Sequence, residues 1–499
     1  MRGWQRGLGV VLAVAVMAAA CSGDDGGDDE GAGGGEPPPE EGAAAEPAVR
    51  VVTLDGVGTS APDELDRVRV IQHGPEDAEN VLVLAPGTSA GAGYFTPLAL
   101  DIVNALPDWQ VWSVDRRENL LEDHSVHETF VAGDATEQES FDYYIGWLGD
   151  DSITEHFEPQ GGAASDGDAV AFAREWGMAV AIEDLRVVIE EAAALGGDVV
   201  LGGHSLGGSI TVAYASWDFN GRAGADDLSG LVLIDGGSGA GQAPSVEEAE
   251  ADLAELEESS PFNDIVGLGL PWAAGVFNTL GSTAALLVPD EPSIGWQSPL
   301  IPENLKPPEQ PTNAAQYGYA LDVDTSPEGL ELVEMHLGRL ADTGDPRGWV
   351  DDEPVPLERA ARMFSGVLSG DQPGPDAELV GAGGGLEAID GTAWYHPQRL
   401  SIDSDAVNGG IANPAQEVLG VRATHGEDLA LPIYALETTF GAGRVLAGAQ
   451  LLAEQSGIPE DELTLVDQSD SLTHTDPMGI NTAENPLVET VVRFLGEIG

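Results

Sequence analysis

Short apolar runs recur along the chain, each closed by Gly, Pro or Asp. Arg50–Leu54 and Arg67–Gln72 read as two strands joined through a Gly/Pro-containing turn, an antiparallel start. Asn80–Ala85 (NVLVLA), Gln110–Val114, Val199–Leu201 and Leu231–Ile234 are apolar on both faces, as buried parallel strands are. Between them lies a long amphipathic pattern from Ala171 to Ala194, and small and apolar residues at helical spacing run on to Ala215. The alternation resumes at Pro432–Leu436, continues with a helix over Arg444–Gln455 and a strand over Leu463–Val466, and ends in a helix over Asn485–Leu495. Apolar strands alternating with helices predict an α/β fold: a mostly parallel central sheet with helices on both faces.

Two stretches break this rhythm. Glu118 to about Asp168 is an irregular excursion with an aromatic run at Tyr143, Tyr144 and Trp147. Ala240–Glu427 follows the sixth strand and is too long for a structureless loop, so it reads as an inserted, mainly helical cap. Its expected helices are Val246–Glu258, Pro327–Leu340 and Leu357–Leu368, with an apolar segment at Ile265–Val288 and a Gly cluster at Gly381–Gly385. Pro271 and the glycines of the apolar segment favour a buried lid over a membrane dip.

The N-terminus changes the setting. Met1–Ala20 carries Arg2 and Arg6, then an apolar core too short to span a bilayer but suited to a secretory signal. Cys21, the single cysteine, follows Ala18-Ala19-Ala20. This resembles a bacterial lipobox, with Ala18 where Leu is usual, and implies lipid attachment at Cys21 and an extracytoplasmic, membrane-anchored protein. The other reading is plain secretion with an incidental cysteine. Residues 21–48 are Gly, Pro, Ala, Asp and Glu with almost no apolar bulk, an acidic tether. The domain organisation expected is therefore a signal peptide over 1–20, a tether over 21–48, core over 49–239 and 428–499, and the cap over 240–427.

Charge narrows the partners. The formal net charge is −68, from 87 acidic and 19 basic residues, with Lys306 the only lysine. Such a surface repels nucleic acid and anionic membrane. It fits either biased codon usage plus an acidic tail or life in high salt, where the Debye length falls to about 3 Å at 1 M.

Candidate chemistry centres on Gly203-His204-Ser205-Leu206-Gly207. With 66 glycines in the chain the G-x-S-x-G pattern alone says little; its context, an apolar strand before and a helix after, is that of a nucleophile elbow. The backbone amide of Leu206, at a helix N-terminus, would be one donor of an oxyanion hole. The order of elements with GHSLGG after the fifth strand closely resembles the α/β-hydrolase superfamily over roughly residues 49–240 and 428–499. The resemblance implies an active site at the carboxyl ends of the strands and a triad in the order Ser, acid, His. Ser205 is then the nucleophile and His474, beyond the last strand, the base. Glu437, after the strand following the cap, takes the commonest position of the acid; Asp235, after the sixth strand, is the rival. The second oxyanion amide belongs to the loop after the third strand, at Thr88 or Ser89, where Pro86 replaces the usual His. Asp115-Arg116-Arg117 matches a D-x-R-G element with Glu118 in place of Gly, which is usually structural and only secondarily a grip for a substrate carboxylate through Arg117.

No cofactor motif and no zinc-ligand spacing is evident, and Asp467, Asp470 and Asp476 read as a solvated acidic face rather than a cation site. The functions left open are an esterase or lipase-like serine hydrolase acting on a small-molecule or lipid ester, an aminopeptidase-like hydrolase, and a catalytically silent binding lipoprotein of the same fold. The Ser-Leu-Gly elbow favours the first over the Ser-Tyr-Gly form of such peptidases.

Overall fold

Strand β1 (Val49–Asp55) pairs antiparallel with β2 (Arg67–His73), which pairs antiparallel with β4 (Trp109–Asp115). From there every neighbour is parallel: β4, β3 (Asn80–Ala85), β5 (Val199–His204), β6 (Gly230–Ile234), β9 (Ile433–Glu437) and β10 (Leu463–Asp467). The order across this eight-stranded sheet is β1-β2-β4-β3-β5-β6-β9-β10. The computed structural model describes residues 49–161, 167–238, 243–265, 267, 269–367 and 390–499. The expected signal peptide, Cys21, the tether and the Gly381–Gly385 cluster lie outside these residues.

The central strands are apolar throughout because both their faces are covered. Val81, Val83, Leu201, Leu231, Leu233, Ile433 and Ala435 point to one side, where helices Met178–Ala193, Leu206–Ala215 and Arg444–Ser456 pack. Their alternating neighbours Leu82, Leu84, Val200, Val232, Ile234, Tyr434 and Leu436 meet helices Thr96–Ala105, Leu357–Ser365 and Pro486–Ile498 on the other.

The segment between β6 and β9 is the cap. Its described residues include helices Val246–Glu258, Ala273–Leu287, Asn313–Leu321, Leu357–Ser365, Gln398–Ser404 and Pro414–Leu419. No helix among the described residues is long and apolar enough to cross a membrane. Of the excursion's aromatic run Tyr144 is buried, and Tyr143 and Trp147 pack half-buried beside it: Tyr144, Phe157, Trp176, Phe262, Trp272, Trp394 and Tyr395 form a core of their own.

Two expectations are corrected. Pro327–Leu340 is not a helix; Met335 donates to the Leu321 carbonyl, and the next three amides are taken by side chains. The Asp322 carboxylate accepts from Leu337 and Gly338, and Asp476 accepts from His336. The segment then enters a hairpin of β7 (Arg339–Gly344) and β8 (Arg347–Val350). A helix forms upstream at Asn313–Leu321, where the Thr312 hydroxyl accepts the Ala315 amide at 3.2 Å. Finally, the long helix expected over Ala171–Ala194 is two elements, a 3-10 stretch over Gly167–Glu175 and the helix Met178–Ala193. They part at Gly177, which is extended, while Asp403 accepts the Met178 amide at 2.9 Å.

Candidate active site

The chain has the α/β-hydrolase fold, so the turn that leaves β5 is the place to look for a nucleophile. Ser205 stands there with φ 57° and ψ −122°, a conformation that side-chain-bearing residues rarely adopt. Its amide donates to the Ile234 carbonyl at 3.0 Å and its own carbonyl accepts from Gly208 at 3.0 Å. Surrounding glycines permit the pinch. A Cβ on Gly207 would collide with the Ala85 carbonyl, and one on Gly236 with the carbonyl of Ser205 itself. A Cβ on Gly87 would lie 2.9 Å from Ser205 Cβ. These close approaches bring the end of β3, the end of β6 and the elbow to one point.

His474 arrives from the loop after β10 and is 2% exposed. Its Nδ1 lies 2.5 Å from Asp235 Oδ2. Asp235 follows β6 directly and also accepts from the Thr438 amide at 2.8 Å and from the Thr438 hydroxyl. Burial acts to raise the Asp235 carboxyl, but the hydrogen bond and positive charge of His474 and the Thr438 donors outweigh it, holding it below the usual range.

Glu437, the expected partner of His474, is elsewhere engaged. Its carboxylate accepts the Gly443 amide and, at 2.8 Å, the Leu446 amide, at the start of helix Arg444–Ser456. The side chain ends β9 as foreseen, but the turn from Thr438 to Gly443 folds the helix N-terminus onto it, where a carboxylate is favoured by the free N–H groups. Asp235, one strand nearer the elbow, holds the imidazole.

The imidazole is hemmed by two rings. Phe440 and His204 each lie with ring centroids 4.4 Å from it, and His204 Nε2 donates to the His474 carbonyl at 2.9 Å. Burial, reinforced by the charge on His474, pushes the His204 imidazole down to about 3, so it stays neutral. His204 therefore does more than occupy the turn before Ser205. A sequence reading could have found this only by knowing that the final loop returns to β5.

The loop after β3 is held from behind. Arg116 Nη1 donates to the Pro86 carbonyl at 2.9 Å, and both terminal nitrogens donate to Gly87 at 3.1 Å. Ser89 has φ 57°. The Leu206 amide opens the helix after the elbow, and Thr88 follows Gly87, which packs on Ser205. The same loop pairs with the cap: Gly91 donates to Gly391 at 3.2 Å, Gly93 to Asp390 at 2.8 Å, and Ala393 to Ser89 at 3.1 Å.

Other candidates fall outside the site. Arg117 is 2% exposed and locked to Asp184, Asp66 and the Val57 carbonyl, a structural post. Asp467 and Asp470 are exposed, but Asp476 is fully buried, accepting from the His336 amide, the His336 ring and the Thr473 amide. It ties cap residue His336 to the loop that carries His474. Two more bonds join them, from Thr473 Oγ1 to Glu334 and from Thr475 Oγ1 to Leu332. His73 and His396 are buried and His425 pairs with Asp428 at the surface, all away from Ser205.

No family model and no curated protein matches the chain. Solved structures similar to it include a provisionally assigned lipase from Sulfolobus solfataricus, 14% identical over 91% of this chain and 95% of that one, with a TM-score of 0.44. An esterase from Thermogutta terrifontis is 14% identical over 90% and 99%, with a TM-score of 0.36. Epoxide Hydrolase A from Mycobacterium thermoresistibile is 13% identical over 91% and 99%, with a TM-score of 0.39.

Proposed function

We propose that this chain is a serine hydrolase that cleaves carboxylic esters through an acyl-enzyme. The observation that carries the reading is the buried 2.5 Å hydrogen bond between His474 Nδ1 and Asp235, beside a serine held in a strained elbow. With Nδ1 committed to a carboxylate, the neutral imidazole presents Nε2 as a base. Ser205 Oγ attacks the carbonyl carbon as its proton passes to His474, and the oxyanion is met by the amides of Leu206 and Thr88. His474 gives the proton to the departing alkoxide. Water, deprotonated by the same imidazole, then attacks the acyl carbon and frees Ser205. Asp235, ionised throughout, balances the imidazolium.

The test uses the chain from Val49 onward with p-nitrophenyl esters of several chain lengths, amino-acid anilides and a fluorophosphonate probe. Ester turnover with labelling at Ser205, both lost in Ser205→Ala by about 10⁵–10⁶-fold in kcat, supports the reading. Turnover of anilides alone would make it a peptidase, and no labelling would leave a silent binding protein.

We further propose export and lipid attachment at Cys21, a reading supported by the charged, apolar and small-residue order of Met1–Cys21. Metabolic labelling with a palmitate analogue, lost in Cys21→Ser, tests it.

A further inference from the structure

Away from Ser205, three side chains from distant parts of the sequence place ligand-type atoms within 4.8 Å of one another: Glu122, His124 and Asp390. His124 Nε2 lies 3.0 Å from Glu122 Oε2 and 2.5 Å from Asp390 Oδ1. All three side chains are nine-tenths or more buried. Each carboxylate is fixed from behind. Glu122 Oε1 accepts the Trp394 amide at 2.6 Å, and Asp390 Oδ2 is held by Arg69, which also bonds Asp115 at 2.7 Å. Asp390 Oδ1, facing the ring of His124, has no aligned hydrogen-bond donor despite its burial. His124 Nδ1 has no partner either, so the polar engagement of the ring runs through Nε2.

Asp115, Glu122 and Asp390 bring three carboxylates together, and facing them are the Arg69 guanidinium and the His124 ring. Buried carboxylates this close repel one another, and a divalent cation among the three ligand atoms would hold them together. One imidazole nitrogen with two carboxylate oxygens suits a borderline transition ion; calcium and magnesium take oxygen alone. The Trp394 amide and the Arg69 guanidinium are the outer partners that orient such ligands.

We infer that His124 Nε2, Glu122 Oε2 and Asp390 Oδ1 form a binding site for one divalent ion of the zinc class, with the fourth position open to water. Binding displaces the proton on Nε2 to solvent and moves the ring and the Asp390 carboxylate apart, from 2.5 Å to the ~3.3 Å at which two ligands of a tetrahedral ion stand. Sequence spacing could not reveal the set, because Asp390 belongs to the cap while Glu122 and His124 follow β4. The ion would clamp cap to core next to the pairing of Gly91 and Gly93 with residues 390 and 391.

The experiment starts from the folded chain in 1 M NaCl, which suppresses loose cation binding by the acidic surface. One equivalent of zinc is added, the protein is desalted, and metal is counted by elemental analysis. The expected result is about one zinc per chain, with affinity at least tenfold weaker in His124→Ala and Asp390→Asn and unchanged in His425→Ala. Cobalt in the same site should give the intense visible band of a four-coordinate ion, read on the wild-type protein and so independent of how well the variants fold. Folded wild-type protein that retains no zinc overturns the proposal. So does retention that survives both substitutions, or a weak six-coordinate cobalt spectrum.

Discussion

Asp235 and Glu437 are both buried carboxylates at strand ends, and they differ in what stands opposite. Asp235 meets His474 at 2.5 Å; Glu437 meets the amides of Gly443 and Leu446. Their substitutions should therefore separate cleanly. Asp235→Asn removes the charge opposite the imidazole and can present an N–H to Nδ1, and kcat should fall by about 10⁴-fold with little loss of stability. Glu437→Gln leaves the chemistry in place but sets an amide donor against the helix N-terminus. It should lower the unfolding free energy by about 1–3 kcal/mol, read from the urea midpoint, and leave kcat within about threefold. The acid limb of kcat/KM carries a second signature. Asp235 lies below the usual carboxyl range and His204 stays neutral down to about 3. Neither should take up a proton between pH 4 and 7, so an acid limb of log kcat/KM in that window should be no steeper than about one per pH unit. A slope of two would mean that His204 titrates as well. The positions of Ser205 at the elbow and His474 in the final loop were legible in the sequence because they follow from the order of elements. The carboxylate that meets the His474 ring was not, because two strand ends offered one and only the fold of the Thr438–Gly443 turn decides between them.

At the scale of elements, the elbow is a strand and a helix brought closer than side chains allow. Gly207 is the test of that closeness, because its missing Cβ would meet the Ala85 carbonyl of the neighbouring strand. Gly207→Ala should force β3 and the helix Leu206–Ala215 apart, costing about 1–3 kcal/mol or more in urea unfolding. Ser209→Ala, two residues along the same helix and only partly buried, serves as the control and costs only its bond to the Gly237 carbonyl. The strands were readable to within three residues because double-faced burial writes a continuous apolar run; the strand read as Val199–Leu201 runs on to His204. The helices of the cap were less so. Pro327–Leu340 has apolar residues at helical spacing, yet Asp322 and Asp476 capture its amides from outside, and a pattern within one segment carries no record of such captures. The break at Gly177 is hidden for the same reason: its cause is Asp403, far along the chain.

Across the whole molecule, 87 acidic residues against 19 basic ones make self-repulsion a term in stability. Some ion pairs are buried posts such as Arg117 with Asp66 and Asp184, which salt screens little, while others such as Arg186 with Glu190 and Arg493 with Glu489 are exposed and contribute little to begin with. Raising NaCl from low to molar concentration should therefore lift the melting temperature, by screening repulsion more than it weakens attraction. A melting curve that does not move would dissociate the acidity from any adaptation to salt.

The pairing of Ser89, Gly91 and Gly93 with residues 390–393 has a consequence for how this enzyme could have been assembled or could be re-engineered. A cap that merely roofed the pocket could be exchanged between relatives like a cartridge, altering taste but not competence. Here the inserted segment supplies one wall of the loop after β3 and, through Glu334 and His336, part of the frame around His474. Grafting a foreign cap onto this core would remove both supports at once, so modular recombination is closed to it unless residues 332–336 and 390–394 travel with the host.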